Sequence, residues 1–293
     1  MKARKALLVL LASAFLLNLN AQVVGNQAQI VSKQGESSAS DSPKGSFFII
    51  PFYGFTMFQD LRLTSHTNNY KLWEGESTSQ FSRDEIDDYN NDFDTRYMNS
   101  MTGLTIGYQV IDGLGIGLHA GVNHFKFETW ISDENSQILK EDYPALTLGL
   151  SVDYQKKLND RLTAMAIFSY NYCITSSVVA ETNSGESVVS SKLAAMYGEI
   201  NLALGYRLGR FMPYGGAGFS SQIVHSVVKE QIPTTDGNGN PFNNLTDFDT
   251  SFHGEAIYGF AGVNYQINKK ASIYLHGSLP NPGRVIAGLR LII

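Results

Sequence analysis

The chain has 293 residues, of which 17% are charged, and its formal net charge is −5. The low charge content and the 12% of aromatic residues exclude a disordered chain, and the negative balance gives no electrostatic reason to bind nucleic acid. The single cysteine, Cys173, excludes an intramolecular disulfide framework and a cysteine-rich zinc site. The composition therefore indicates a folded protein for which we expect no cofactor and no metal.

The first 21 residues have the pattern of an export signal. Three basic residues within positions 2–5 precede an almost wholly apolar run over 6–17, and Ala21 supplies a small residue for cleavage. The apolar run is shorter than the ~20 residues that a membrane-spanning helix needs. We therefore expect a signal peptide over 1–21, followed by a flexible polar tether over 22–45 in the periplasm.

From Ser46 onward the hydrophobic pattern has a period of two residues, which is typical of β-strands with one apolar face. In the segment 146–154, for example, Leu, Leu, Leu, Val and Tyr alternate with small or polar residues. The pattern predicts ten strands, although eight or twelve also fit it. The approximate predicted bounds are 46–58, 98–110, 114–130, 145–157, 161–177, 193–208, 211–229, 253–267, 271–278 and 284–293.

The predicted connections differ in length between the two ends of the strands. The short turns are centred near residues 112, 159, 209 and 269, and the long loops cover 59–97, 131–144, 178–192 and 230–252. The remaining connection, 280–283, is a short turn at the end of the long loops. Short turns at one end and long loops at the other are typical of a transmembrane barrel. With ten strands both termini lie at the short-turn end, which we expect to face the periplasm. An additional hairpin inside the first long loop, near 70–73, stays open.

A tyrosine precedes each of the four short turns, on the apolar face of its strand. Aromatic rings at one level on an outer face form an interfacial girdle, because the ring is apolar and the hydroxyl seeks water. The candidate girdle residues are Tyr108, Tyr154, Tyr206 and Tyr265. Parity alone does not distinguish inside from outside, so a soluble barrel with these tyrosines in its core stays an alternative. The export signal, the glycine-rich polar faces and the unequal loops favour an outward apolar face.

Several polar side chains fall on the opposite face and are predicted to point into the lumen. Charged groups there are expected to form interior salt bridges. A barrel of ten strands is too narrow for a general diffusion pore, although the glycines of this face leave room for a narrow channel. The candidate lumen polar residues are His119, Asp153, Glu199, Arg207, His276 and Arg290.

Two sequence features could carry hydrolytic chemistry. His276 and Ser278 form a His-x-Ser pair similar to that of lipid A deacylases, but no acidic residue follows to orient the histidine. The sequence Asp-Phe-Asp-Thr occurs at 92–95 and again at 247–250, but His253 does not have the spacing found in the omptin-like outer-membrane proteases. We therefore expect a protein that is not an enzyme.

The first long loop is the best candidate for an interaction surface. It carries aromatic side chains among acidic ones, a combination that suits a contact with another protein. The candidate loop binding residues are Tyr70, Trp73 and Phe81. The four long loops together contain 19 acidic and 6 basic residues, whereas the flanks of the short turns are basic.

Together these features resemble the small outer-membrane β-barrel proteins, a porin-like family with an "outer membrane protein β-barrel domain" that is abundant in Bacteroidota. The resemblance covers 46–293. It rests on the signal peptide, the ten-segment alternation, the Pro-Tyr-Gly-Gly-Ala-Gly strand start at 213–218 and the C-terminal strand 287–293. That strand ends in Ile293, where family members often end in an aromatic residue.

The resemblance implies an all-β, transmembrane, antiparallel up-and-down β-barrel in the cell outer membrane. Its implied surroundings are outer-membrane lipid and lipopolysaccharide, with the barrel-assembly machinery as a partner during insertion. The function it implies is a non-enzymatic surface or scaffold role, with the loops as the interaction surface for a protein partner. Two alternatives stay open: a narrow channel or transporter for small solutes, and an outer-membrane assembly or secretion component with a periplasmic partner.

Overall fold

A computed structural model describes residues 45–72, 75–131, 136–175, 178–181, 188–235, 241–279 and 283–293. These residues form one antiparallel sheet, and ten of its strands close into a ring. The prediction of a ten-stranded up-and-down β-barrel is thereby confirmed. The predicted signal peptide and nearly all of the predicted tether lie outside the described residues.

The described part of the chain contains twelve strands and one helix. The strands are β1 (Phe47–Leu72), β2 (Gly75–Gln80), β3 (Phe93–Ile111), β4 (Leu114–Ile131), β5 (Ser136–Lys157), β6 (Leu162–Thr175), β7 (Val178–Glu181), β8 (Val188–Tyr206), β9 (Phe211–Thr235), β10 (Pro241–Asn268), β11 (Ala271–Leu279) and β12 (Gly283–Ile292), and the helix is α1 (Arg83–Asp92). β2 pairs with the end of β1, and β7 pairs with the start of β8, so both lie outside the ring.

The two ends of the ring differ in their connections. Short turns follow β3, β5, β8 and β10 at one end, which we call the turn end. Gly113 and Gly209 lie in two of these turns with φ angles of +79° and +62°, a region that favours glycine. We call the opposite end the hairpin end. Both Phe47 and Ile293 lie at the turn end, where the amide of Ile293 donates to the carbonyl of Phe47 (3.0 Å).

The ring closes through β1 and β12, which pair from Phe48 opposite Ile292 to Phe58 opposite Gly283. One circuit of the ring can be followed by moving from each residue to the directly opposite residue of the next strand. A circuit that starts at Lys157 on β5 returns to β5 at Ala145, so the stagger of the barrel is 157 − 145 = 12 residues. An even stagger keeps the same face of every strand inward, because side chains alternate with a period of two. Such a stagger accompanies the strand tilt of about 35–45° that barrel closure requires.

Two strands of the barrel wall, β11 and β12, are too short to reach the hairpin end. β11 and β12 have 9 and 10 residues, whereas β1 and β10 have 26 and 28. Beyond the short β11–β12 hairpin, β10 pairs directly with β1, from Arg62 opposite His253 to Lys71 opposite Leu245. Gly254 lies where the two long strands meet, and a Cβ there would approach the carbonyl oxygen of Asp60 to 2.8 Å.

The strands continue far into the segments that the sequence predicts as long loops. β9 and β10 pair as far as Thr235 opposite Pro241, and β5 begins at Ser136. The predicted loops over 131–144, 178–192 and 230–252 are therefore largely strand in the described residues. The prediction was wrong because backbone pairing continues where both faces of a hairpin are mostly polar, so the regular alternation that reveals a half-apolar strand disappears.

The predicted loop over 59–97 is also ordered secondary structure. β1 continues to Leu72, β2 pairs back against it from Gly75 opposite Leu72 to Gln80 opposite Thr67, and α1 follows. The hairpin that the sequence left open near 70–73 is thus present. The helix was missed because eight of its ten residues are polar and none of them is buried, and two apolar positions, Ile86 and Tyr89, are too few to reveal a helical periodicity.

Candidate functional site

An apolar band surrounds the outside of the ring. Val122, Leu118 and Ile257 are 64%, 70% and 80% exposed, and on β5 all five outward side chains between Leu146 and Tyr154 are exposed. Nine residues of tilted strand correspond to a height of roughly 20 Å. The two-residue alternation of the sequence does not determine whether the apolar face points inward or outward, and the structure places it outward. The inside and outside of the barrel are therefore reversed in polarity relative to a soluble barrel.

The four candidate girdle tyrosines face outward near the turn end. Tyr154 and Tyr206 are exposed, and Tyr108 and Tyr265 are half-buried. Tyr108 packs against the ring of Phe47 and Tyr265 against that of Phe211, with centroid distances of 4.9 and 4.8 Å. The hydroxyl of Tyr206 also accepts a hydrogen bond from the Arg161 guanidinium (3.3 Å). Two phenylalanines that the sequence reasoning missed thus belong to the same aromatic level.

Five of the six candidate lumen residues are buried inside the ring, and Arg207 is half-buried at the turn end. The five buried residues are His119, Asp153, Glu199, His276 and Arg290. They do not converge on one point. Glu199, His276 and Arg290 lie on β8, β11 and β12, whereas His119 and Asp153 lie on β4 and β5, which are neighbours of each other.

A buried ion pair joins Glu199 to Arg284, a residue that the sequence reasoning missed. The Arg284 guanidinium donates to the Glu199 carboxylate, and both side chains are essentially inaccessible. The ring of Tyr258 lies 5.4 Å from the guanidinium carbon, and the Tyr258 hydroxyl donates to the Asn201 side chain (2.7 Å). Arg284 shares the inward parity of Arg290, so extending the alternation of the last strand by three steps could have found it.

Arg290 and His119 have separate surroundings near the turn end. The Arg290 guanidinium lies 4.4 Å from the centroid of Phe48 and interacts electrostatically with Asp153. The ring of His119 hydrogen-bonds through Nδ1 to the Thr105 hydroxyl on the neighbouring strand (3.1 Å). These contacts are those of interior packing, in which buried charges and rings find partners.

His276 and Ser278 both face the interior. Nδ1 of His276 lies 3.3 Å from the Tyr214 hydroxyl, and its ring packs between Tyr214 and Phe260. The histidine is 1% exposed and Ser278 is 3% exposed, so neither is open to a substrate outside the barrel. Among the described residues no carboxylate is the hydrogen-bond partner of His276, although a serine triad requires one.

Aromatic rings occupy the space beside five of the inward-facing glycines. Five rings lie directly opposite a glycine on the neighbouring strand, and a Cβ on that glycine would collide with the ring. The pairs are Phe48–Gly107, Phe52–Gly103, Tyr214–Gly262, Tyr258–Gly218 and Tyr274–Gly288. The space beside these glycines, which suggested room for a narrow channel, is therefore occupied by neighbouring side chains. Every strand of the ring contributes buried side chains to the interior.

α1 packs onto the interior at the hairpin end. Phe81, Ile86 and Tyr89 contact the apolar cluster that includes Leu63 and Phe252. The side chain of Asn90 bonds twice to the backbone of Leu63: its oxygen accepts from the amide (2.7 Å) and its nitrogen donates to the carbonyl (3.0 Å). The Asn90 side chain therefore satisfies the same two backbone groups of Leu63 that a neighbouring strand would, and it fixes the helix to β1.

A capping box fixes the start of α1. The Ser82 hydroxyl accepts from the Glu85 amide (3.3 Å), and the Glu85 carboxylate accepts from the Ser82 amide (2.6 Å). These bonds hold the pKa of Glu85 below its ordinary value, because the backbone amide of Ser82 and then its side chain stabilise the ionised carboxylate. Exposed acids cover the rest of the helix, so its solvent face is acidic.

The three candidate loop binding residues have different positions. Phe81 is half-buried and packs against the His66 ring with a centroid distance of 4.4 Å, so it stabilises the mouth of the barrel. Tyr70 is half-buried in β1, opposite Ser77 and Thr246. Trp73 lies outside the described residues. Among the described residues no group of three or more His, Cys, Asp or Glu is arranged to hold a metal ion.

We found no match to a protein-family model, and none to a curated protein. No helix within the described ranges has the length and apolar character of a membrane span. The chain is similar to solved outer-membrane barrels. The outer membrane protein OprG of Pseudomonas aeruginosa is 13% identical over 86% of this chain and 98% of its own, with a TM-score of 0.38.

Two further solved structures illustrate the range of barrels to which the chain is similar. The translocator domain of the autotransporter NalP of Neisseria meningitidis is 7% identical, covers 89% of this chain and 90% of its own, and has a TM-score of 0.41. The outer membrane protease OmpT of Escherichia coli is 13% identical, covers 88% of this chain and 99% of its own, and has a TM-score of 0.36. At these identities no activity is carried over to this chain.

Proposed function

We propose that the protein is an integral outer-membrane β-barrel with a filled interior that acts as an anchor for the structures at its hairpin end. The observation that carries this proposal is the reversed polarity of the barrel: leucines, isoleucines and valines are exposed on the outside while charged pairs are buried inside. Exposed apolar surface of this extent is stable only when lipid or protein covers it. A band of roughly 20 Å between polar ends suits the hydrocarbon layer of an outer membrane.

The orientation follows from the same reasoning. The aromatic rings and the basic residues lie at the turn end, which we assign to the periplasmic side, as in other outer-membrane barrels. The hairpin end then faces the exterior with β2, α1 and the β9–β10 hairpin. Outer-membrane lipid and lipopolysaccharide would surround the band, and the barrel-assembly machinery would insert the chain.

The proposed role at the cell surface is to present α1 and the paired ends of β1 and β2. Asn90 and Tyr89 fix the helix on the barrel, so its exposed acidic face is held in one orientation. A rigid, acidic surface suits a partner with a basic surface. The barrel itself would supply the anchor and no chemistry.

Planar-bilayer recording of the refolded full-length protein tests the filled interior. We expect no single-channel steps above the background of the detergent control, because aromatic rings occupy the space beside five of the inward glycines. Regular conductance steps would contradict the proposal and favour a narrow channel. That alternative is supported by buried polar atoms of Asn99, Asn171 and Ser169, which have no hydrogen-bond partner among the described residues.

A further inference from the structure

A cleft of about 590 Å³ opens at the turn end, between the turn that joins β8 to β9 and the turn that joins β10 to β11. Arg207, Gly209 and Arg210 line one side, and residues 266–269 line the other. Backbone hydrogen bonds fix both sides. The Arg207 amide donates to the Arg161 carbonyl (2.8 Å), and the Gln266 amide donates to the Arg210 carbonyl (2.9 Å). The walls of the cleft are therefore continuous with the strand ladders.

Three of the described residues that line this cleft are basic, and none of them is acidic. Arg207 and Arg210 line it from one turn, and Lys269 lines it from the opposite turn. Within the described ranges, neither Arg210 nor Lys269 takes part in a salt bridge. A lining whose charged residues are all basic favours a bound anion over a bound cation. Gln266 and Asn268 add amide groups to the same walls.

We propose that this cleft binds a phosphate-bearing anion. Arginine presents a planar fork of N–H donors that matches phosphate oxygens, and lysine adds a point charge. Cations from two turns surround a group that carries up to two negative charges, whereas a planar carboxylate is satisfied by a single arginine fork. The volume lies within the range of ordinary small-ligand sites, roughly 300–1,000 Å³. Anion binding at this cleft requires neither the proposed role of the hairpin end nor the absence of a pore.

The phosphate group could reach the cleft from two sources. One is a soluble phosphate ester in the aqueous phase, and the other is the headgroup of a phospholipid. Ile267 lines the cleft and is 39% exposed, so the cleft borders apolar surface. Both sources present the same chemistry to Arg207, Arg210 and Lys269, and the experiment separates them.

Calorimetric titration of the full-length protein in a non-ionic detergent with sodium pyrophosphate, at constant ionic strength, tests the site. We expect saturable binding to the wild type and binding at least about 10-fold weaker to the triple variant R207Q/R210Q/K269Q. The matched control is K156Q/K157Q/R161Q, which removes three cations from another turn at the same end. Its affinity should stay within about 2-fold of the wild type, because those side chains lie outside the cleft.

Native mass spectrometry with phosphatidylglycerol and with diacylglycerol, which lacks phosphate, identifies the source. Retention of phosphatidylglycerol that pyrophosphate displaces supports a lipid headgroup, and pyrophosphate binding alone supports a soluble ester. Absence of saturable binding by either probe, or equal weakening in both triple variants, would overturn the proposal. A hexaglutamate peptide that binds as tightly as pyrophosphate would also contradict it. Should the cleft variant fail to fold, the single exposed substitutions Arg210→Gln and Lys269→Gln test the same point with a smaller expected loss.

Discussion

The guanidinium of Arg284 on β12 donates to the carboxylate of Glu199 on β8, which lies four strands away around the ring. The side chains are 2% and 0% exposed, so water does not screen the pair. Tyr258 packs beside the guanidinium and connects the pair to Asn201. The contact therefore joins the last strand, which closes the ring, to the far wall of the barrel.

Replacement of Glu199 by Gln should destabilise the barrel by about 3–5 kcal/mol, because it leaves the Arg284 charge buried without its partner. Replacement of both residues by Met should cost much less, since it removes the two charges together. The measurement is the urea midpoint of the detergent-folded protein, followed by circular dichroism. Lys229 and Asp247 form an exposed pair (3.0 Å) that serves as a control. Lys229→Ala should change stability by less than about 1 kcal/mol, and an equal effect of both single variants would contradict this account.

Gly262→Ala should destabilise the barrel by about 1–3 kcal/mol, because the added methyl group would overlap the Tyr214 ring and approach the Leu275 carbonyl oxygen to 2.6 Å. Gly259→Ala is the matched control on the same strand. The nearest atom to its new methyl group would be the Leu279 carbonyl oxygen at 3.9 Å, which is an ordinary contact. Thermal unfolding of the two variants in the same detergent measures the difference. Equal melting temperatures would show that the interior accommodates a methyl group at Gly262 without strain, which would contradict the prediction.

Asn90→Ala should loosen α1, because the backbone amide and carbonyl of Leu63 lose their side-chain partner, at a cost of about 1–3 kcal/mol. Asn91→Ala changes an exposed neighbour of the same type and should have little effect. Limited proteolysis of the folded protein measures the outcome as the rate of cleavage within 81–92. Similar rates for the two variants would mean that the Asn90 side chain does not hold the helix.

Acid should weaken the start of α1. The pKa of Glu85 is lowered in the folded protein, so the stabilisation by the capping box is present at neutral pH. It is lost as the pH falls from the ordinary value of 4.5 through the lowered pKa, since protonation removes the carboxylate that accepts from Ser82. Amide protection factors of residues 83–88, corrected for intrinsic exchange, measure this change. Glu85→Gln should flatten the pH dependence, and an unchanged profile in this variant would contradict the assignment.

The sequence predicts the ring well because two-residue alternation is strong wherever one face of a strand is apolar. β4 and β6 begin and end within two residues of the predicted bounds. The hairpin end was less predictable, because β1 beyond Leu63 and β10 before Phe252 are mostly polar on both faces, with only scattered apolar residues such as Leu245 and Phe248. Their pairing depends on backbone hydrogen bonds between strands far apart in sequence, which leave no local pattern.

The interior was only partly predictable. Parity places Glu199 and Arg290 inside the ring, but the partner of a charge depends on the stagger of the barrel, which no single strand encodes. The ring-to-glycine pairs are also contacts between strands. Tyr214 and Gly262 are 48 residues apart in the sequence and become neighbours only through the register of β9 and β10. Assigning the inward glycines to empty space therefore missed the aromatic rings that fill it.

Fractionation of cells, followed by surface proteolysis of intact cells and mass spectrometry of the protected fragments, tests the central claim most directly. The account predicts a protein in the outer-membrane fraction that is cut within 59–97 or 230–252. The turns at 112–113 and 207–210 should stay protected until the membrane is opened. Recovery as a soluble periplasmic protein, or cleavage at those turns in intact cells, would contradict the assignment of the apolar band to the membrane.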